Sequence, residues 1–233
     1  MSRQVIFDTE TTGFSPKDGD RLIEIGAVEM MEGRLTGRNF HAFVNPDRDV
    51  PEAAYRVHKI STEFLKDKPR FHEESVGPAF LEFIQGAELI AHNAPFDIGF
   101  VNHELELAGL PALTNKVTDT VLIARRKFPG SPASLDALCH RFGISKAERD
   151  AKGHGALLDS ELLAKVYVEL TGGKQGDFLG AAAGGKGSAA EHVAPVNYQR
   201  PRPLGSRLTD DEKAAHDAFV AELGDPIWKK IAG

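Results

Sequence analysis

Two carboxylates, Asp8 and Glu10, close the apolar run Val5-Ile6-Phe7. On a strand their i, i+2 spacing turns both to one face, where they repel unless a cation lies between them. A third acid, Asp97, follows His92-Asn93-Ala94-Pro95-Phe96, and a fourth, Asp159, sits among Leu157, Leu158, Leu162 and Leu163. An acid in so apolar a helical pattern needs a partner. His154, bounded by Gly153 and Gly155, precedes it by five positions. Each has a plain reading alone: an acidic turn after a strand, an Asp favoured at a helix N-terminus, a histidine on a loop. Together they have a joint chemical use. Hard divalent cations take carboxylate oxygens, and two of them held about 3.5–4 Å apart can activate a water and stabilise the leaving oxygen of a phosphodiester. A histidine with an unperturbed pKa near 6.5 can take the water's proton. No Walker A, G-x-S-x-G or Cys/His zinc spacing competes with this reading.

The elements that must bring these residues together follow from periodicity. Val5 to Phe7 opens a buried strand, Leu22 to Met30 a second, and the alternation of Phe40, Ala42 and Val44 marks a third from Arg38, after a tight turn at Glu32-Gly33-Arg34. Short helical pieces are expected around Pro51–Tyr55 and Ser61–Leu65, and a helix through Ala79–Ile84 closed by Gly86. Glu88 to Asn93 reads as a strand running into a helix from Ala94 to about Ala108, with Pro95 tolerated in its first turn. A short strand at Val117–Thr120 caps a helix through Arg126. Ser134 opens another to Phe142-Gly143, and a last helix spans about Ala156 to Leu170. A meander followed by alternating strands and helices makes an α/β domain of residues 1–172, a mixed sheet flanked by helices.

Residues 173–207 are rich in Gly, Ala and Pro without periodicity, which predicts a flexible linker. Within 208–233, Thr209-Asp210-Asp211-Glu212 is a capping box, followed by Ala215, Phe219 and Leu223 at helical spacing and then Ile227-Trp228. One such helix is marginal alone, so its apolar face calls for a partner. The chain of 233 residues has a net charge of −6 and a single cysteine, Cys139. No disulfide within the chain can form, and a reducing, cytoplasmic setting is expected. No basic-then-apolar leader or membrane-length apolar run is present. An acidic chain is a poor stable duplex binder, so any nucleic acid must be held locally, with bound cations or partner subunits supplying charge.

Asp8-Thr9-Glu10-Thr11-Thr12-Gly13, His92-Asn93-Ala94-Pro95-Phe96-Asp97 and His154-Gly155-Ala156-Leu157-Leu158-Asp159 resemble, in order, the three motifs of the DEDDh 3′→5′ exonucleases. Within that family the similarity is greatest to the proofreading subunits of bacterial replicases. The resemblance implies a ribonuclease H-like fold, two Mg2+ or Mn2+ ions, and release of nucleoside 5′-monophosphates from a DNA 3′ end, single-stranded or frayed. It makes Asp8, Glu10, Asp97 and Asp159 the metal ligands and His154 the general base. It places Thr9, Thr11, Phe14, Val57 and His58 around the terminal nucleotide. Phe14 has two readings, a base-stacking residue on a turn and a core residue. Lys59 stands where the family's Val-His-Gly-Ile segment has glycine.

The tail resembles the segment that tethers such subunits to their polymerase subunit, with Phe219, Leu223, Ile227 and Trp228 as anchors. Gln175-Gly176-Asp177-Phe178-Leu179 resembles a sliding-clamp-binding pentapeptide, with Gln175, Phe178 and Leu179 as its contacts; a chance match in a linker is the alternative. The family also includes members that bind a small theta-like subunit. Two competing functions are a stand-alone exonuclease acting on RNA 3′ ends and a non-catalytic interaction subunit. The tail argues against the first, and the presence of all five catalytic-type residues against the second.

Overall fold

A computed structural model describes residues 3–172 and 209–222 of the protein. Five strands form one mixed sheet in the order β3-β2-β1-β4-β5. β1 (Arg3–Thr11), β2 (Leu22–Met31) and β3 (Arg34–Phe43) form the antiparallel meander. β4 (Glu88–Ala91) pairs parallel to β1, and β5 (Val117–Asp119) parallel to β4. β3 starts earlier than its alternating segment predicts. Glu32 and Gly33 both take positive φ, a two-residue hairpin turn that carries the pairing down to Arg34.

β1 is covered on both faces, which is why its apolar run is continuous rather than alternating. Val5 and Phe7 pack with Val76, Phe80 and Ile84 from the region of α3 (Gly77–Ile84), and with Val101 and Leu105 of α4 (Ala94–Leu107). Ile6, with Val28 and Ile90, packs instead against Leu138, Leu162, Leu163 and Val166. Those residues belong to α6 (Leu135–Phe142) and α8 (Ala156–Thr171), while α5 (Thr120–Lys127) adds Ala124. Helices therefore flank the sheet on both sides, as expected. α1 (Glu52–His58) runs through Val57 and His58, three residues beyond its expected end, and α2 (Thr62–Leu65) follows.

The helices that matter for chemistry begin where their sequences say. Asn93 takes the left-handed conformation, φ 69°, as α4 starts, and its N–H donates to Asp119 Oδ1 at 3.1 Å. The same carboxylate caps α5 by accepting from Val121 N. Ser134 Oγ caps α6, and Gly143 ends it at φ 65°. One element was not foreseen: α7 (Ala147–Lys152), whose sequence Ala-Glu-Arg-Asp-Ala-Lys has no apolar period to announce it.

The first turn of α8 lies directly on β2. A Cβ on Gly26 would run into the backbone of Ala156 and Leu157. Ser160 Oγ, fully buried, lies 2.8 Å from Gly26 O and 2.7 Å from Ala156 O, its one proton shared between the two carbonyls. The described C-terminal helix, α9 (Asp210–Glu222), starts with the expected reciprocal cap: Glu212 N donates to Thr209 Oγ1, and Thr209 N to Glu212 Oε2. Phe219 on it is 60% exposed. The linker 173–207 and the candidate contacts Gln175, Phe178, Leu179, Leu223, Ile227 and Trp228 lie outside the described residues.

Backbone against backbone cannot give way as a side chain can, so Gly26→Ala is expected to displace α8 and cost about 1–3 kcal/mol or more. Denaturant midpoints together with exonuclease assays check this. A variant of wild-type stability would show that α8 does not need that close approach.

Candidate active site

Glu10 lies on β1 opposite Glu24 of β2, and Asp8 opposite Gly26. The pair of strands thus offers its acids just where α8 comes down on Gly26. Asp159, 3% exposed in the first turn of α8, is delivered to them. One ligand atom each from Glu10, His154 and Asp159 lies within 4.8 Å of the others. Asp97 reaches the group from the first turn of α4, 2% exposed, and accepts a hydrogen bond from Thr9 Oγ1 at 2.7 Å.

The electrostatics are those of crowded acids. Burial, and then the carboxylates of Asp97, Glu10 and Asp159, push the Asp8 carboxyl well above the usual range. Glu10 is pushed up to about 8, by burial first and Glu24 next. Burial takes Asp97 up to about 7 although its bond from Thr9 pulls the other way. Asp159 is raised by burial against the pull of Arg149 and His154. His154 moves down, through burial and the nearby Arg149, with Asp159 opposing.

His154 lies between α7 and α8 with its side chain 42% exposed, and Nδ1 is 3.5 Å from Asp159 Oδ2. Its N–H donates to Val57 O at 3.4 Å, tying the loop to the end of α1. His58 is 4% exposed; its Nδ1 accepts from Ile60 N, so the ring proton sits on Nε2, which is buried without a partner among the described residues. Phe14 is 92% exposed, which removes the core reading. Thr9 and Thr11 have both committed their hydroxyl protons, to Asp97 and to Gly13 O, so only their lone pairs and backbone are left for a ligand. Val57 is half exposed on α1.

A family profile described as an exonuclease matches residues 5–167. The DNA polymerase III subunit epsilon of Escherichia coli K12 is 44% identical over 246 aligned positions, covering 98% of each chain. That of Rickettsia felis is 56% identical over 181, covering 76% of this chain and 77% of the relative. This chain belongs to the epsilon-subunit family of exonucleases. Its activity is that of a 3′→5′ exonuclease, and the family is dependent on divalent metal. Among solved structures, exonuclease X in complex with 5′-overhanging duplex DNA superposes with a TM-score of 0.58 at 26% identity, over 76% of this chain and 93% of that one. The nuclease domain of 3′hExo, a DEDDh family member bound to rAMP, shares the fold at a TM-score of 0.60 and 18% identity, over 73% and 92%.

The residues fit such ions on their own chemistry. The donor set is carboxylate oxygen, and among the described residues Asp159 Oδ1 is buried with no aligned hydrogen bond, its near neighbour being Arg149 Nε at 2.7 Å. Two neighbours of the cage were missed from the sequence. Glu24, 3% exposed, holds His41 Nε2 at 2.7 Å and faces Glu10 across the strands. Its place between apolar Ile23 and Ile25, in the apolar run Leu22–Met30, was the available signal. Arg149 of α7, which bonds Asp159 and His154, had none.

The raised acids give the protein a signed pH dependence. Glu10 and Asp97 ionise near 4.5 and 3.8 when unfolded but near 8 and 7 when folded. The unfolded chain therefore releases these protons first, and stability conferred by the protonated acids is lost as pH rises through that window. In EDTA the melting temperature should fall between about pH 5 and about pH 8, less so in Asp97→Asn, and Mn2+ should restore most at the upper end. A melting temperature that does not fall over that range would mean that the acids are not crowded.

Proposed function

We propose that the chain is the proofreading exonuclease of a bacterial DNA polymerase III, removing mispaired 3′-terminal nucleotides as nucleoside 5′-monophosphates. The observation that carries the proposal is the convergence of Glu10, His154 and Asp159 from a strand, a loop and a helix onto one point. Asp8 and Asp97 complete the acid cage. Asp8, Glu10, Asp97 and Asp159 would hold two Mg2+ or Mn2+ ions, which would supply positive charge to the attacked phosphodiester and to the attacking water. His154 accepts that water's proton, and its downward-shifted pKa keeps it unprotonated at neutral pH. The leaving strand needs no covalent help from the protein, so positioning is the chain's main contribution.

The terminal nucleotide meets His58, Val57 and the strand-end residues Thr9 and Thr11. His58 Nε2–H is a buried donor with no partner among the described residues, suited to a sugar or phosphate oxygen. Phe14, exposed beside Pro95 and Phe96 in a cleft of about 400 Å³, offers a face to the terminal base. Selectivity for a mispaired end comes from fraying, since an unpaired terminus reaches the cage at a smaller unstacking cost.

The chain divides into the exonuclease domain 1–172, a linker 173–207 and a polymerase-binding segment 208–233. Phe219, Leu223, Ile227 and Trp228 contact the polymerase III alpha subunit, and Gln175, Phe178 and Leu179 the sliding clamp; a theta-like subunit is a further partner. The setting is the cytoplasm, and among the described residues no helix is long and apolar enough to cross a membrane. Tethering raises the local concentration of the active site at the primer end, which a chain of net charge −6 could not secure by charge alone.

Digestion of matched and 3′-mismatched primer–templates with Mg2+ and with EDTA tests this reading. Metal-dependent shortening from the 3′ end is expected, faster on the mismatch, with a loss of roughly 100-fold or more in His154→Ala. Digestion of RNA ends but not DNA would point to the stand-alone reading. Deleting 208–233 should leave digestion of a free strand unchanged while abolishing association with the polymerase subunit; loss of both would make the tail part of the domain.

A further inference from the structure

Arg149 is 8% exposed and projects from α7 into the acid cage. Its Nη1 bonds the carboxylate of Asp136. Its Nη2 donates to Asp159 Oδ2 at 2.8 Å and lies 2.8 Å from His154 Nδ1. Its Nε is 2.7 Å from Asp159 Oδ1, but among the described residues neither atom has a partner with hydrogen-bond alignment. The guanidinium therefore spans both oxygens of one acid and the near nitrogen of the base.

An arginine has donors only. Nδ1 of His154 must accept, and a neutral imidazole then carries its proton on Nε2. In that tautomer the ring has no free lone pair with which to take a proton from water. The covered nitrogen is also the one facing the cage, since it is Nδ1 that approaches Asp159. In this arrangement the base is held but is not available.

We propose that Arg149 is a positioning residue that holds a resting arrangement, engaging Asp159 and covering Nδ1 of His154, and that a divalent cation contending for Asp159 displaces it and uncovers the base. This rests on Asp159 as a metal ligand and His154 as the base. Asp136 gives the arginine somewhere to go. It is half exposed, already holds Nη1, and its other oxygen is 3.5 Å from Lys146 Nζ. Arg149 can release the site while keeping a carboxylate partner, so withdrawal does not strand a buried charge. The contrasting role is a permanent support that orients Asp159 for the cation. The two differ in sign: removing a competitor strengthens cation binding, and removing a support weakens it.

Mn2+ titration of the full-length protein, followed by thermal shift and by the paramagnetic resonance of free Mn2+, separates them in wild type, Arg149→Gln and Asp136→Asn. Arg149→Gln is expected to bind Mn2+ more tightly, by roughly tenfold. Asp136→Asn is expected to bind more weakly, because the arginine loses its alternative anchor. In EDTA, the 15N resonances of His154 should report the Nε2–H tautomer in wild type and a mixture of tautomers in Arg149→Gln. Unchanged or weaker Mn2+ binding by a folded Arg149→Gln overturns the proposal. If that variant does not fold, Asp136→Asn decides, and unchanged or tighter binding there overturns it. A wild type with no Mn2+ response would remove the metal reading of the cage and this proposal with it, whereas a normal wild-type response beside an unaltered Arg149→Gln removes only the proposal.

Discussion

The site depends on one contact between two stretches of backbone. α8 can bring Asp159 to the strand acids only because β2 has no side chain at Gly26, where Ala156 and Leu157 come down. The register of β1 and β2 sets Asp8 opposite that glycine and Glu10 two positions on, opposite Glu24. A close approach of backbone to backbone thus coincides with a cluster of acids. Ser160, with its hydroxyl on Gly26 O, fixes the helix one turn beyond, and the apolar residues from Leu162 to Leu170 continue the seam along the sheet. An ordinary helix–sheet packing, spaced by side chains, would leave Asp159 too far from Glu10 to share a ligand.

Crowding four acids costs free energy, and the fold offsets part of that cost with helix N-termini and with the Arg149 guanidinium on Asp159. Asp97 and Asp159 both sit in the first turn of a helix, where free N–H groups and the helix dipole favour negative charge. Asp8 and Glu10 have no such help and sit at the end of a strand buried on both faces, and it is Asp8 that is pushed up by all three other acids. The core on either side of β1 therefore does more than hold the sheet together: it keeps the two least favoured acids from turning away into solvent. The destabilisation left over is what a bound cation would relieve.

Much of this was legible in the chain. The meander, the strand running into α4, the caps at Ser134 and Thr209 and the three acid motifs all depend on local chemistry, which a sequence displays directly. What was not legible depends on contacts between distant segments. α7 is six residues of mostly charged side chains, so nothing local marks it; it is held by Arg149 reaching Asp136 and Asp159. The role of Gly26 was equally silent, since a glycine in a strand says only that there is room for a close approach, not what makes it. The exposure of Phe14 depends on how the loop folds around Asp20, whose carboxylate accepts from Ser15 N and Thr12 Oγ1. The extent of α1 through His58 turned on Lys59 adopting φ 62°, a conformation for which glycine is the usual choice.

The acids and the base are mounted differently. All four acids sit on β1, α4 and α8, elements packed into the two main cores. The base sits on a loop between α7 and α8, held by peripheral pieces: its N–H on Val57 O, and the stem of Lys59 against Gly153, where a Cβ would lie 3.1 Å from Cγ. Gly153 itself takes φ 89°, so the loop turns where only glycine is free of strain. A lysine in the left-handed region costs about 1 kcal/mol relative to glycine, and here its side chain returns some of that by covering the glycine of the base loop. Short elements with little core open locally at lower free energy than those in the main cores. A cation cage needs fixed oxygens, whereas a proton acceptor must approach, take a proton and release it. The fold puts rigidity where charge must be held and compliance where a proton must be passed.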